Sequence, residues 1–244
     1  MFFDETYFFS ETIPEGLFVL SEEESLHASA VLRIKKGDRI LVTDGKGMLA
    51  ECEIEKSDPR TTSLCAVKRH GVPAEIPEIT LAAGILKKNS FEALVELVSQ
   101  LPVARIVPVD TARAALPVHA YASFLPRLNQ KARTALKQSK RAFVTRVEAP
   151  IPFAKALQQA ATAGYACLFE KGAASAGPSD VARLSSAVSL FVLTGPEGGF
   201  TEDETRAARD AGLSILELGS TRLRAEAAGF AAAVALLTRR EKTA

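Results

Sequence analysis

Residues 189–211 read SLFVLTGPEGGFTEDETRAARDA, and residues 214–239 read SILELGSTRLRAEAAGFAAAVALLTR. Each passage starts with an apolar run short enough for a buried strand, breaks at glycine and resumes with helical periodicity. Two glycine-bearing loops are therefore expected to leave neighbouring strand ends, the place where open α/β sheets bind ligands. The first loop has the wrong charge for a phosphate cradle, which uses backbone N–H groups and a lysine. Gly195-Pro196-Glu197-Gly198-Gly199 carries a carboxylate and no lysine, and the next helix opens with Glu202, Asp203 and Glu204. A neutral or cationic ligand approached by glycine backbone suits it better. Thr201 and Glu204 also form a capping box, worth about 1 kcal/mol. That cap does not account for Glu197, nor for Arg222, Arg224 and Glu226 after the second glycine loop.

Working outward, strands and helices alternate from residue 79 onward. Strands are expected over 79–85, 105–109, 144–148 and 166–170, and helices over 90–101, 123–142, 153–163 and 179–184. Asn89 and Glu92 are placed as a capping-box variant for the first helix. Such alternation predicts a parallel sheet covered by helices on both faces. The first seventy residues are β-rich instead, with strands over 16–20, 39–44, 48–56 and 62–69, a hairpin turn at Asp44-Gly45-Lys46-Gly47 and one helix over 22–32. Pro73 and Pro77 bracket an aperiodic stretch, so the domains are read as 1–72 and 73–244.

Composition removes several function classes. Apolar residues make up 47% of the 244, and the formal net charge is +1. Cys52, Cys65 and Cys167 are scattered, as are His27, His70 and His119, so no metal site is expected. The start, MFFDETYFF, carries acids where a signal peptide carries positive charge. The apolar run 227–237 is too short to span a bilayer. A cytoplasmic protein without a membrane segment is expected.

The near-neutral total hides an uneven distribution. No Asp or Glu lies between Thr111 and Val147, an interval that holds Arg113, Arg127, Lys131, Arg133, Lys137, Lys140, Arg141 and Arg146. Helical spacing turns Leu125, Leu128, Ala132 and Leu136 to the core and Arg133, Lys137, Lys140 and Arg141 away from it. Like charges at that spacing repel, which points to an anionic partner such as nucleic acid. Arg33, Lys35, Lys36 and Arg39 form a second, weaker cluster. A basic helix and a basic β domain to hold phosphates, with an acidic glycine loop for a non-anionic cofactor, fit an RNA methyltransferase. The sulfonium of S-adenosylmethionine meets the charge requirement of that loop.

At GPEGGF followed by ELGSTRLRAE the chain resembles the RsmE family of ribosomal RNA methyltransferases, within the SPOUT superfamily. The likeness extends to His27-x3-Val31-Leu32-Arg33, Lys36-Gly37-Asp38, Leu86-Lys87, Arg105-Ile106-x-Pro108, Arg113 and Gln138-Ser139-x-Arg141. The resemblance implies an N-terminal PUA-like RNA-binding domain and a trefoil-knotted α/β domain. It implies a homodimer that methylates N3 of a uridine in small-subunit (16S) ribosomal RNA, free or in the assembled 30S subunit, with S-adenosylmethionine. The cofactor loops would be Thr194, Gly195, Pro196, Glu197, Gly198 and Gly199 with Leu218, Gly219, Ser220, Leu223 and Arg224. Arg224 would stabilise charge on the uracil, or else form a structural ion pair with Glu226 or Glu197. Arg33, Lys35, Lys36, Arg113, Arg133, Lys137, Gln138 and Arg141 would contact RNA. No residue stands out as a general base.

The chain departs from the family pattern at Thr134, Thr221 and Ala227 and over Leu97-Val98-Ser99-Gln100-Leu101-Pro102. Those departures keep a second reading open, an RNA-binding relative that is non-catalytic or acts on another target. A Rossmann-type nucleotide enzyme is the third, but G-x-G-x-x-G follows none of the predicted strands.

Overall fold

The computed structural model describes residues 2–173 and 177–241. The chain divides into two compact units. One is Met1–Ala74 with Arg133–Val144, and the other is Glu75–Ala132 with Thr145–Ala244. The segment Arg133–Val144 thus joins the N-terminal unit, although the sequence places it in the second domain.

In the N-terminal unit five strands form one sheet: β1 (Phe2–Phe9), β2 (Gly16–Val19), β3 (Arg39–Thr43), β4 (Met48–Lys56) and β5 (Ser63–Gly71). Their order is β1-β3-β4-β5-β2, with β1 parallel to β3 and the other pairs antiparallel. Alternate residues of β4, Ala50, Cys52 and Ile54, point into a core with Phe8, Ile40, Val42 and Leu64. β1 is absent from the sequence reading. The helix expected over 22–32 is two pieces, α1 (Glu22–Leu26) and a π-helical turn, His27–Val31.

The predicted hairpin turn has a further use. Gly47 donates to the Ala142 carbonyl at 3.0 Å, and Val144 donates to that of Gly45 at 2.9 Å. Gly47 has φ +103°, and a Cβ there would lie 2.6 Å from the Phe143 ring. Only glycine lets residues 142–144 close on the turn.

The second unit is a parallel sheet built from β6 (Glu78–Gly84), β7 (Arg105–Asp110), two two-residue strands β8 (Arg146–Val147) and β9 (Ile151–Pro152), β10 (Tyr165–Phe169), β11 (Ser189–Thr194) and β12 (Ser214–Leu216). The order is β12-β10-β11-β6-β7-β8, with β9 also on β7. β10 therefore lies between β11 and β12, and the two glycine loops do not leave neighbouring strands as expected.

The helices are α2 (Lys88–Val98), α3 (Val118–Ala122), α4 (Leu125–Ser139), α5 (Phe153–Ala160), α6 (Pro178–Ser186), α7 (Glu202–Asp210) and α8 (Ala225–Glu241). Ala156 and Ala160 of α5 and Ala208 of α7 pack with Ala82, Val107 and Phe191 on one face of the sheet. Leu81, next to Ala82, meets the opposite face, where Gly229 of α8 closes on Leu94 of α2; a Cβ at Gly229 would stand 2.5 Å from that leucine. This part of the alanine-rich helix is core.

Asn89 does not cap α2. The helix starts at Lys88 behind Lys87, without a side-chain cap, and Glu92 pairs with Arg127 at 3.0 Å and Lys131 at 3.5 Å. The acid-free interval is neutralised from elsewhere in the chain. Lys131 also meets Glu96, Arg133 meets Glu11 at 3.7 Å, Lys137 meets the buried Glu24, and Arg141 is itself buried. Leu128, Ala132 and Leu136 face the core as expected, but Arg133, Lys137 and Arg141 do not form an open basic face. Lys140, past the end of α4, is exposed with φ +55°.

Among the described residues no helix is long and apolar enough to cross a membrane, and no group of three or more His, Cys, Asp or Glu could hold a metal.

Candidate functional site

Three loops at the carboxyl ends of β10, β11 and β12 enclose a pocket of about 440 Å³ in the second unit. β11 contributes Thr194, Gly195, Pro196, Glu197, Gly198 and Gly199, and β12 contributes Leu218, Gly219 and Leu223. These nine lining residues are among those expected to hold cofactor. Ser220 and Arg224 are not in the wall. Arg224 is exposed, and its carbonyl accepts from Ala228 N at 2.8 Å to close the first turn of α8. Arg222 lines the pocket instead.

The loop after β10, with Phe169, Glu170 and Lys171, was missed. Its signal was present in the sequence, since Glu170-Lys171-Gly172 repeats the pattern of a strand followed by a charged residue and glycine. β10 sits between β11 and β12, so its loop has to join theirs.

The β11 loop is held by contacts on every side. Gly199 N donates to the Pro196 carbonyl at 2.8 Å. Arg113 Nη1 donates to the carbonyls of Gly198 at 2.8 Å and Phe200 at 3.0 Å. Behind the loop Thr201 and Glu204 form the predicted capping box, and the other Glu204 oxygen accepts from Ala112 N at 2.8 Å. Gly84, at the end of β6, lies directly under Pro196, where a Cβ would stand 2.5 Å from its Cδ. A side chain at Gly195 would likewise press on Gly199, 3.1 Å away. The glycines bring bare backbone to the pocket wall.

Arg113, expected on RNA, is a strut of this loop. Its two charge-assisted bonds are each of a kind worth about 1.5–3 kcal/mol. Replacing Arg113 by alanine should raise the dissociation constant of the pocket's ligand about tenfold, measured by calorimetry. The salt dependence of RNA binding should stay unchanged. A flatter salt slope with intact ligand affinity would return Arg113 to the RNA contacts.

Charge in the pocket is arranged for a donor-bearing ligand. Glu170 accepts from Thr205 Oγ1 at 2.6 Å, and Glu217 accepts from Gly172 N at 3.0 Å. Glu197 Oε1 accepts at 3.1 Å from the N–H of Lys87, the residue before α2. Glu197 Oε2 is buried and has no hydrogen-bond partner. Leaving a buried carboxylate oxygen unpaired is costly. With Glu170, Glu197 and Glu217 all in the lining, a ligand bearing a cationic group, N–H or O–H suits the pocket's charge, and glycine backbone leaves room for it. The residues fit S-adenosylmethionine, which carries a sulfonium, an ammonium and ribose hydroxyls.

The other expected RNA-contact residues belong to the N-terminal unit. Arg33, Lys35 and Lys36 are exposed, with Lys36 beside Glu55 at 3.6 Å. Gln138 is exposed near the end of α4. Arg133, Lys137 and Arg141 are placed as described above.

A family model described as an RNA methyltransferase domain matches residues 74–237, and one described as an RNA methyltransferase PUA domain matches residues 20–62. The ribosomal RNA small subunit methyltransferase E of Mycobacterium tuberculosis is 29% identical over 242 residues, which cover 96% of this chain and 92% of the relative. The protein of the same name from Bacillus subtilis is 26% identical, over 86% of each chain. The crystal structure of the Neisseria gonorrhoeae ribosomal RNA small subunit methyltransferase E bound to S-adenosyl methionine matches the fold with a TM-score of 0.85 at 24% identity, over 96% of this chain and 97% of that one.

Proposed function

This chain belongs to the RNA methyltransferase domain family, and we propose that it methylates N3 of a uridine in small-subunit ribosomal RNA, with S-adenosylmethionine as methyl donor. The observation that carries the reading is a pocket that sets glycine backbone beside the carboxylates of Glu170, Glu197 and Glu217. The named relatives, all small-subunit ribosomal RNA methyltransferases, support the substrate class.

When bound, S-adenosylmethionine supplies an electrophilic methyl group. The loops after β10, β11 and β12 hold it, with the Glu197 carboxylate receiving one of its donors. The β11 loop, held by Arg113, would position the methyl donor against the base. Uracil N3 would give its proton to water before or during transfer, with negative charge developing on the ring as the N3–methyl bond forms and the methyl–sulfur bond breaks. A cation near the pocket stabilises that charge. Arg222, which lines the wall, takes this role in place of Arg224, which does not. The trefoil knot of the superfamily, formed by these same loops, belongs to the proposal. So do the homodimer and the cytoplasmic setting.

Calorimetry tests the cofactor half. S-adenosylmethionine should bind with a dissociation constant in the micromolar range or below, about −8 kcal/mol or stronger. ATP and NAD should not bind. Binding of ATP without S-adenosylmethionine would refute the reading, and a monomer by light scattering at micromolar concentration would refute the dimer.

A further inference from the structure

The N-terminal unit has a cavity of its own, of about 460 Å³, which methyl transfer does not use. β1 supplies Tyr7, the helical passage supplies Glu23, Leu26, His27 and Val31, and α4 supplies Thr134, Lys137 and Gln138. The wall therefore depends on the return of Arg133–Val144 to this unit.

The passage that forms the wall is irregular. His27 begins the π-helical turn, a rare conformation that is frequent at functional sites. Its ring leans on Phe8, with centroids 5.9 Å apart. Leu26 and Val31 are 51% and 64% exposed, so apolar side chains meet water at the cavity. Lys137 is anchored through its ammonium to Glu24, which fixes that side of the wall. Gln138 is exposed and carries both a donor and an acceptor.

Aromatic and aliphatic surfaces beside an amide match the chemistry of a nucleobase, which has flat apolar faces and a polar edge. Single-stranded RNA is read by stacking on such rings and by hydrogen bonds to base edges. We infer that this cavity receives one unstacked nucleobase of the RNA substrate, with Tyr7 and His27 offering rings and Gln138 meeting the edge. The inference rests on the RNA methyltransferase reading. The cavity shares no residue with the cofactor pocket, and the base proposed for it is a second base of the substrate, apart from the one methylated. Exposed Arg33, two residues past Val31, is placed in sequence to meet the phosphate beside it.

The test uses the full chain and a transcript of unmodified small-subunit ribosomal RNA. His27→Ala should weaken RNA binding about tenfold, the scale of one lost base–aromatic stack, and His27→Phe should restore most of it. The slope of affinity against salt should not change, because no phosphate contact is lost. Val31→Glu, at an exposed position that tolerates the change, should weaken binding as well. S-adenosylmethionine affinity should be the same in all three variants. Photo-crosslinking of RNA carrying 5-bromouridine should label Tyr7 or His27.

If the parent binds and methylates RNA while His27→Ala and Val31→Glu bind as tightly as the parent, the inference is overturned and the functional reading stands. If these variants bind free RNA normally but fail on assembled subunits, the cavity takes a ribosomal protein and the nucleobase assignment is wrong. A parent that binds no ribosomal RNA overturns both.

Discussion

Replacing Gly84 with alanine should weaken S-adenosylmethionine binding between about tenfold and a hundredfold while the N-terminal unit stays folded. The new Cβ would lie 2.5 Å from Pro196 Cδ and 2.7 Å from Pro196 N, distances that no rotamer change relieves. Overpacking of this kind costs about 1–3 kcal/mol, and each factor of ten in affinity is about 1.4 kcal/mol. The β11 loop is the part able to move, since β6 is central in its sheet, and moving that loop opens the pocket wall. Substitution at Gly198 should be milder than the loop sequence alone suggests. A Cβ there meets the aliphatic part of Arg113 at 3.2 Å, and that side chain can yield. Titration of both variants with S-adenosylmethionine, beside their thermal unfolding, gives the comparison. Parent-like affinity in Gly84→Ala would mean that the loop does not form the binding wall.

Lys137→Ala should destabilise the N-terminal unit by about 3 kcal/mol. Its partner Glu24 has a side chain only 7% exposed and, among the described residues, is otherwise left with the Phe9 N–H, which donates to it at 3.4 Å. Removing one member of a buried pair leaves an uncompensated charge, which costs about 3–5 kcal/mol. The lower end applies because Lys137 itself is 20% exposed. Replacing both residues, Glu24→Gln with Lys137→Met, should recover most of the loss, since the charge leaves with its partner. Denaturant unfolding of the single and double variants would measure it. A single variant within about 0.5 kcal/mol of the parent would make the pair a solvated contact and restore Lys137 to the face available for phosphates.

The basic helix shows where reading along the chain fails. Charge balance is a property of space, and the acids that answer Arg127, Lys131, Arg133 and Lys137 are Glu92, Glu96, Glu11 and Glu24, at sequence separations that no local pattern reports. The glycine loops succeed for the opposite reason. Their chemistry is local, because Gly195-Pro196-Glu197-Gly198-Gly199 carries both its backbone freedom and its carboxylate within five residues, and strand, loop and cap follow in order. Strand order was not legible. β10 has no feature that places it between β11 and β12, so its loop was left out of the site. The strand expected over 144–148 forms only as the two-residue β8, whereas β9, also two residues, is too short for any period and β1 lacks the alternation of a half-buried strand. Lys87 caps α2 and its N–H is bonded to Glu197, 110 residues away, whereas the local cue at Asn89 pointed two residues further on.

The most direct test of the central claim is to incubate the protein with methyl-labelled S-adenosylmethionine and small ribosomal subunits that lack the modification, then to digest the RNA and identify the labelled nucleoside by mass spectrometry. The account predicts label in 3-methyluridine at a single position, with the initial rate cut about five- to fiftyfold when Gly84→Ala replaces the parent at a cofactor concentration near the parent's dissociation constant. Cofactor binding with no label in RNA would contradict it and leave an RNA-binding relative that does not catalyse, and label in any nucleoside other than 3-methyluridine would contradict the proposed target atom.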